Sequence, residues 1–222
     1  AMVYVFIGTL VGARLGHVFF YDWSYYSQHL DEIIMIWKGG LASHGAAIGI
    51  IIALYVFSRR VSKKSVLWIL DRTVVPVALA GAFIRTGNLM NSEIYGRPTD
   101  VPWAFDFVRI PEVAGTPVHP TQIYEALGYL IIFFVLHRLF YKFDAGKKQG
   151  FLLGMFFILV FGFRFLVEFV KADQVAFEAN IPLNMGQWLS IPLVVIGILL
   201  VWRANKLGPK EEPLPKTRVK KN

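Results

Sequence analysis

Apolar residues run through this chain in long unbroken blocks, with the polar ones gathered in short segments between them. Runs such as "IGIIIALYVF" and "YLIIFFVL" lack the alternation that strands of a membrane barrel show. The blocks are close to the roughly 20 residues a helix needs to cross a bilayer. Six spans are predicted: Met2–Phe20, Leu41–Phe57, Val66–Ile84, Gln122–Phe140, Phe151–Phe169 and Gln187–Trp202. The expected fold class is therefore all-α, a polytopic helical membrane protein with a single membrane domain over residues 1–205. Tyr21–Lys38 is mixed and aromatic, which predicts an amphipathic helix lying along the interface. Residues 97–119 contain Pro98, Pro102, Pro111, Gly115 and Pro117, and read as an irregular loop forming a small extramembrane cap. Residues 206–222 read as a basic, disordered tail. The chain lacks the internal repeat that an inverted-repeat transporter would carry.

Composition sharpens this picture. Hydrophobic residues make up 55% and charged ones only 17%, where a soluble domain carries about 25% charge. Mean hydropathy is +0.51. The net charge of +8 does not point to nucleic acid, because the basic residues fall in alternate connections. Arg59, Arg60, Lys63 and Lys64 lie after the second span, Arg138, Lys142, Lys147 and Lys148 after the fourth, and seven Lys/Arg after the sixth. By the positive-inside rule that side is cytoplasmic, and the polar segment after Arg85 opens outward. The absence of cysteine excludes disulfides, thiolate metal sites and a cysteine nucleophile. The chain is apolar by Val3 with no basic region before it, so it reads as a sequence cut short at its beginning rather than one with a signal peptide.

Several polar residues are costly where they stand. In "AFIRTGNLMNSEIYGRPTD", Arg85, Asn88 and Asn91 share one face if the third helix continues through them, with Glu93 and Gly96 just beyond. Arg85 alone can equally snorkel to the headgroups. "GARLGHVFFY" puts Arg14 and His17 in the first span, and "GGLASHG" sets His44 among small residues at the start of the second. "HPTQIYE" opens the fourth span with His119, Gln122, Tyr124 and Glu125, where His119–Pro120 also suits a plain helix start. "FRFLVEFVK" spaces Arg164 and Glu168 as an i,i+4 pair, and "NMGQW" puts Gln187 at the start of the last span. On the predicted topology His44, Arg85, His119, Arg164 and Gln187 gather toward the outer half of the membrane. A membrane-buried arginine costs about 2.5–3.5 kcal/mol unless paired or hydrated. Arg85 and Arg164 are thus candidates to share an anionic ligand, most naturally a lipid phosphate, whose oxygens match a guanidinium fork. No HExxH or comparable spacing predicts a metal site, and no cofactor is implied.

Together these motifs resemble the prolipoprotein diacylglyceryl transferase family of bacterial inner membranes. The matching pieces, "GARLGHVFFY", "GGLASHG", "RTGNLMNSEIYGR", "HPTQIYE", "FRFLVEFVK" and "NMGQWLSIP", occur in the family's order over most of the chain. The resemblance implies transfer of the diacylglyceryl group of phosphatidylglycerol to the lipobox cysteine of a prolipoprotein peptide, with release of glycerol phosphate. It implies His44, Arg85 and Arg164 as catalytic residues. Arg14, Asn88, Glu93, Gly96, Gln122, Tyr124, Glu125, Glu168 and Gln187 are implied as supports for the headgroup, and the spacing after Arg85 adds Asn91 to them. Two departures stand out. The family has a further N-terminal span bearing a tyrosine, with no counterpart here, and some members carry a tyrosine where this chain has Val160.

The chemistry suits these residues. A thiol of pKa about 8.5 benefits from a base at neutral pH, and imidazole titrates in that range. His44 is the candidate base, or else it only positions a ligand. A lipid or anion transporter and a lipid-binding scaffold are the rival readings.

Overall fold

A computed structural model describes residues 1–172 and 183–209. Seven α-helices are present among the described residues: α1 Met2–Phe20, α2 Trp23–Tyr26, α3 Ser43–Phe57, α4 Val66–Met90, α5 Thr121–Lys142, α6 Phe151–Val167 and α7 Met185–Leu207. All six predicted spans are helices. Five helical stretches are long and apolar enough to cross a membrane, and α6, at 17 residues, is a shorter apolar helix. The predicted tail begins later than residue 206, because Lys206 and Leu207 still belong to α7. Most of that tail, and the acidic residues Asp173 and Glu178, lie outside the described residues. The chain divides into two compact units, Ala1–Ile69 and Leu70–Asn222.

In the first unit α1 and α3 meet along a glycine seam. Gly8, Gly12 and Gly16 recur every fourth residue and face Gly45, Gly49 and Ala53. A Cβ at Gly12 would run into the Gly45 carbonyl, and one at Gly8 would come within 2.6 Å of the Gly49 carbonyl oxygen. Lipid is as apolar as leucine, so membrane helices associate through close packing of this kind rather than through a hydrophobic driving force. Ala42 N–H adds a hydrogen bond of 2.9 Å to the Ala13 carbonyl.

The segment expected to form one interfacial helix instead forms the short α2 and two 3-10 turns, Leu30–Ile34 and Ile36–Lys38. Arg14 sits inside this reversal. Its guanidinium is buried and donates to the carbonyls of Glu32 (2.6 Å), Ile33 (2.8 Å), Gly39 (2.5 Å) and Gly40 (3.3 Å), while lying over the Tyr26 ring. The Glu32 carbonyl also accepts the Met35 N–H of the first 3-10 turn, so the turns and the cation are satisfied together. Outside this fold-back, Glu32 accepts from Lys38 at 2.7 Å and from the Tyr25 hydroxyl at 3.0 Å. Those contacts, with Lys38 the larger, hold the Glu32 carboxyl below its usual range.

In the second unit the helices run alternately up and down. Asp71, fully buried near the start of α4, accepts the backbone N–H of Gly150 (2.6 Å) and Leu153 (2.9 Å) at the start of α6. A side chain from another helix thus satisfies donors that α6 cannot pair internally. α7 packs along α6, and Lys148 donates to Asn205 at 2.8 Å. At the opposite end, isolated antiparallel bridges join Pro98 and Phe105 to Val118 within residues 97–119. Val118 exchanges both backbone hydrogen bonds with Phe105, and the rings of Tyr95, Phe105 and Phe107 pack together.

Candidate active site

Alternation of helix direction brings four helix ends of the second unit together. Arg85 and Asn88 lie near the C-terminus of α4, Gln122 and Glu125 in the first turns of α5, Arg164 near the C-terminus of α6, and Gln187 in the first turn of α7. Because α4 continues to Met90, six residues past the predicted end of the span, Arg85 and Asn88 share a face as expected.

The result is a chain of ionic contacts across three elements. Arg85 Nε is 3.1 Å from Glu125 Oε2, Lys171 Nζ is 3.8 Å from Glu125 Oε1 and 3.1 Å from Glu168 Oε1, and Arg164 Nε is 3.4 Å from the same Glu168 oxygen. Glu125 is fully buried, whereas the side chains of Arg85 and Arg164 keep 15% and 33% of their surface exposed. Among the described residues neither Glu125 oxygen has an aligned hydrogen-bond donor, and the contacts to that carboxylate are ionic ones. Glu168 is better supported, accepting from Lys171 and, through Oε2, from Asn184 at 3.0 Å. Burying a carboxylate costs several kcal/mol, which only close cations and donors offset.

The remaining expected residues frame this chain. Arg85 Nη1 reaches Asn88 Oδ1 at 3.4 Å, and Asn88 donates onward to Glu93 at 3.1 Å. Asn91 stands exposed in the turn just past α4, apart from that relay. Gln122 donates to the Glu93 carbonyl at 2.7 Å, and its neighbour Thr121 to the Ile94 carbonyl at 2.8 Å. Ile94 takes a positive φ of 60°, uncommon for a β-branched residue, so the turn after α4 is strained and fixed from α5. Gly96 is needed for close approach: a Cβ there would stand 2.6 Å from both His119 Cβ and the Val170 carbonyl oxygen. Gly96 N–H donates to the His119 carbonyl and Arg97 N–H to that of Val170, joining the ends of α4, α5 and α6. The Tyr124 hydroxyl accepts from Trp103 Nε1 at 2.7 Å and lies 3.2 Å from His119 Nδ1, which ties α5 to the cap.

Gln187 is used locally. It forms a reciprocal capping box with Asn184, each accepting the other's backbone N–H, and its amide reaches the Phe165 carbonyl at 3.4 Å. His44 and Arg14 belong to the first unit. His44 is exposed in the first turn of α3, with Nδ1 3.3 Å from the Tyr21 hydroxyl. Arg14 spends its donors on backbone carbonyls, as described above.

Two residues of this arrangement, and Asp71 at the other end of α4, are not among the expected site residues. Lys171 sits at i+3 from Glu168, a legible spacing, but its reach to Glu125 is not local. Asn184 stands three before Gln187, the signature of a capping box. Asp71 interrupts an apolar run, and an ionisable residue inside a span is itself a signal. Among the described residues no group of three or more His, Asp and Glu is arranged to hold a metal.

A family model described as prolipoprotein diacylglyceryl transferase matches residues 1–203. The chain is similar to proteins named phosphatidylglycerol–prolipoprotein diacylglyceryl transferase from several bacteria. It is 48% identical to that of Chloroherpeton thalassium, over 94% of this chain and 77% of the relative. It is 51% identical to that of Porphyromonas gingivalis, over 92% and 76%. For Tolumonas auensis the identity is 48%, over 90% and 76%.

Proposed function

The chain belongs to the prolipoprotein diacylglyceryl transferase family, and from that premise we propose that it moves the diacylglyceryl group of phosphatidylglycerol onto the lipobox cysteine of a prolipoprotein, the first step of lipoprotein maturation. One observation carries the reading for this chain's own residues. Two guanidiniums with exposed surface, Arg85 and Arg164, are backed by buried carboxylates in a single ionic chain. Such an arrangement receives an anion: the carboxylates fix the cations in place, and the exposed N–H groups remain to meet phosphate oxygens.

The thiol proton passes to a base, and the sulfur forms a bond to the glycerol carbon that bears the phosphate ester. The carbon–oxygen bond breaks, and the electron pair leaves with glycerol phosphate. Arg85 and Arg164 stabilise the charge that grows on the departing phosphate, which is the larger electrostatic contribution. His44 is assigned as the base. Asn88, Glu93, Gln122 and Glu125 set the position of Arg85, and Glu168, Asn184 and Gln187 that of Arg164. Asn91, Tyr124, Gly96 and Arg14 act through the shape of the turn after α4, the cap and the fold-back over α1.

The protein lies in the bacterial inner membrane. Arg138, Lys142, Lys147, Lys148 and Arg203 crowd the helix ends opposite Arg85 and Arg164, and the positive-inside rule assigns such an end to the cytoplasm. The ionic chain then faces outward.

The test is direct. Purified protein is incubated with phosphatidylglycerol and a lipobox peptide, and the peptide is weighed by mass spectrometry. A mass increment of one diacylglyceryl group supports the reading. Lipid bound without any peptide modification would leave a scaffold, and lipid moved across a vesicle wall a transporter.

A further inference from the structure

We propose that Lys171 is a positioning residue that sets the charge balance of the anion receptor without touching the lipid. The inference rests on the function proposed above.

Arg85 and Glu125 would form one neutral pair, and Arg164 and Glu168 a second. Two neutral pairs make a poor receptor for a phosphate, because each guanidinium is already compensated by a carboxylate beside it. Lys171 changes that count. Its ammonium lies between the two carboxylates, 3.1 Å from Glu168 and 3.8 Å from Glu125, with only 5% of its side chain exposed. Among the described residues the buried cluster then holds three cations against two anions. Lys171 is covered and faces the carboxylates, so the uncompensated charge is expressed at the two arginines, whose surfaces stay accessible. Glu93 does not cancel it, since that carboxylate is exposed, lies beyond Asn88, and is screened by solvent.

Two further features fit this role. Glu125 has no aligned hydrogen-bond donor among the described residues, so its hold on Arg85 depends on which other cation shares it. The backbone of Lys171 is also fixed, bridging to Gly96, with Ala172 N–H donating to the Tyr95 carbonyl, so the ammonium is delivered by the same turn that follows Arg85. A lysine suits the position because a compact ammonium serves two carboxylates as a point charge.

The experiment compares three forms of the full chain in phosphatidylglycerol mixed micelles with a lipobox peptide: the unaltered protein, Lys171→Met and Lys171→Arg. The methionine variant is expected to lower kcat/KM about tenfold or more, chiefly by raising KM for phosphatidylglycerol. Arginine keeps the charge and most of the transfer. Unchanged constants in Lys171→Met overturn the proposal. So does a loss in kcat alone that arginine does not rescue, the outcome expected if Lys171 merely packs the end of α6. Should the unaltered protein transfer nothing, the proposed function fails by itself. Retention of phosphatidylglycerol, read by native mass spectrometry on the same three forms, then tests the charge balance: the same order supports it and equal retention overturns it.

Discussion

Arg85 Nε lies 3.1 Å from Glu125 Oε2, with the carboxylate wholly buried and the guanidinium still partly open. The pair is therefore one-sided: one partner is committed to the protein and the other retains donors for something else. Arg164 stands in the same relation to Glu168. Arg85→Lys and Arg164→Lys are each expected to lower kcat/KM at least tenfold, about 1.4 kcal/mol of transition-state stabilisation, because an ammonium cannot engage a carboxylate and two phosphate oxygens through one planar fork. Steady-state transfer assays check this, and near-normal rates in both variants would refute phosphate clamping.

His44 offers a different signature. It is exposed, with the Tyr21 hydroxyl as its neighbour. If it removes the thiol proton, His44→Gln should lose transfer at neutral pH and recover as the pH approaches the thiol's own pKa of about 8.5, where the substrate ionises unaided. A pH–rate profile decides the point. A loss independent of pH would make the imidazole a positioning group.

Asp71 should matter to stability before it matters to chemistry. Removing its carboxylate strands two donors at the buried start of α6. Asp71→Ala is expected to cost about 1–3 kcal/mol, seen as a fall in thermal midpoint in detergent, whereas Asp71→Asn keeps one acceptor and costs less. Equal midpoints for all three forms would show that the contact contributes nothing.

The glycine seam makes a steric prediction. At Gly45 a Cβ would meet the Gly12 carbonyl and, at 2.8 Å, Gly16 Cα, both of them backbone. Backbone cannot rotate aside as a side chain can. Gly45→Leu should therefore separate α1 from α3 and destabilise the first unit by roughly 1–3 kcal/mol or more. Protease cleavage within residues 1–69 is the readout, and unaltered resistance would count against the seam.

The fold-back over α1 should loosen in acid. Lys38, and then Tyr25, hold the Glu32 carboxyl below its usual range. A carboxyl lowered in the folded state contributes stability that is complete above its unfolded value and lost as the pH falls through its folded one. Cleavage of residues 22–38 should accordingly rise in the acidic range in the native protein. In Glu32→Gln it should already be high and nearly independent of pH across that window.

The sequence by itself determined the class of fold and most of the chemistry. Apolar blocks of bilayer length leave a helix as the only way to satisfy the backbone in lipid, so all six spans were legible without tertiary information. Arg85, Glu125, Arg164 and Glu168 were visible too, because charge in an apolar run has no cheap explanation. Tertiary structure decided the partners. Glu125 lies 40 residues from Arg85 and 46 from Lys171 along the chain, and nothing local says that one carboxylate meets both cations. Arg14 is the plainest case: as a residue type it matched a phosphate ligand, yet four carbonyls brought to it by the chain's own reversal take up its donors. Residue type fixes what a side chain can bind. Which group arrives first is settled only when distant segments are packed against it.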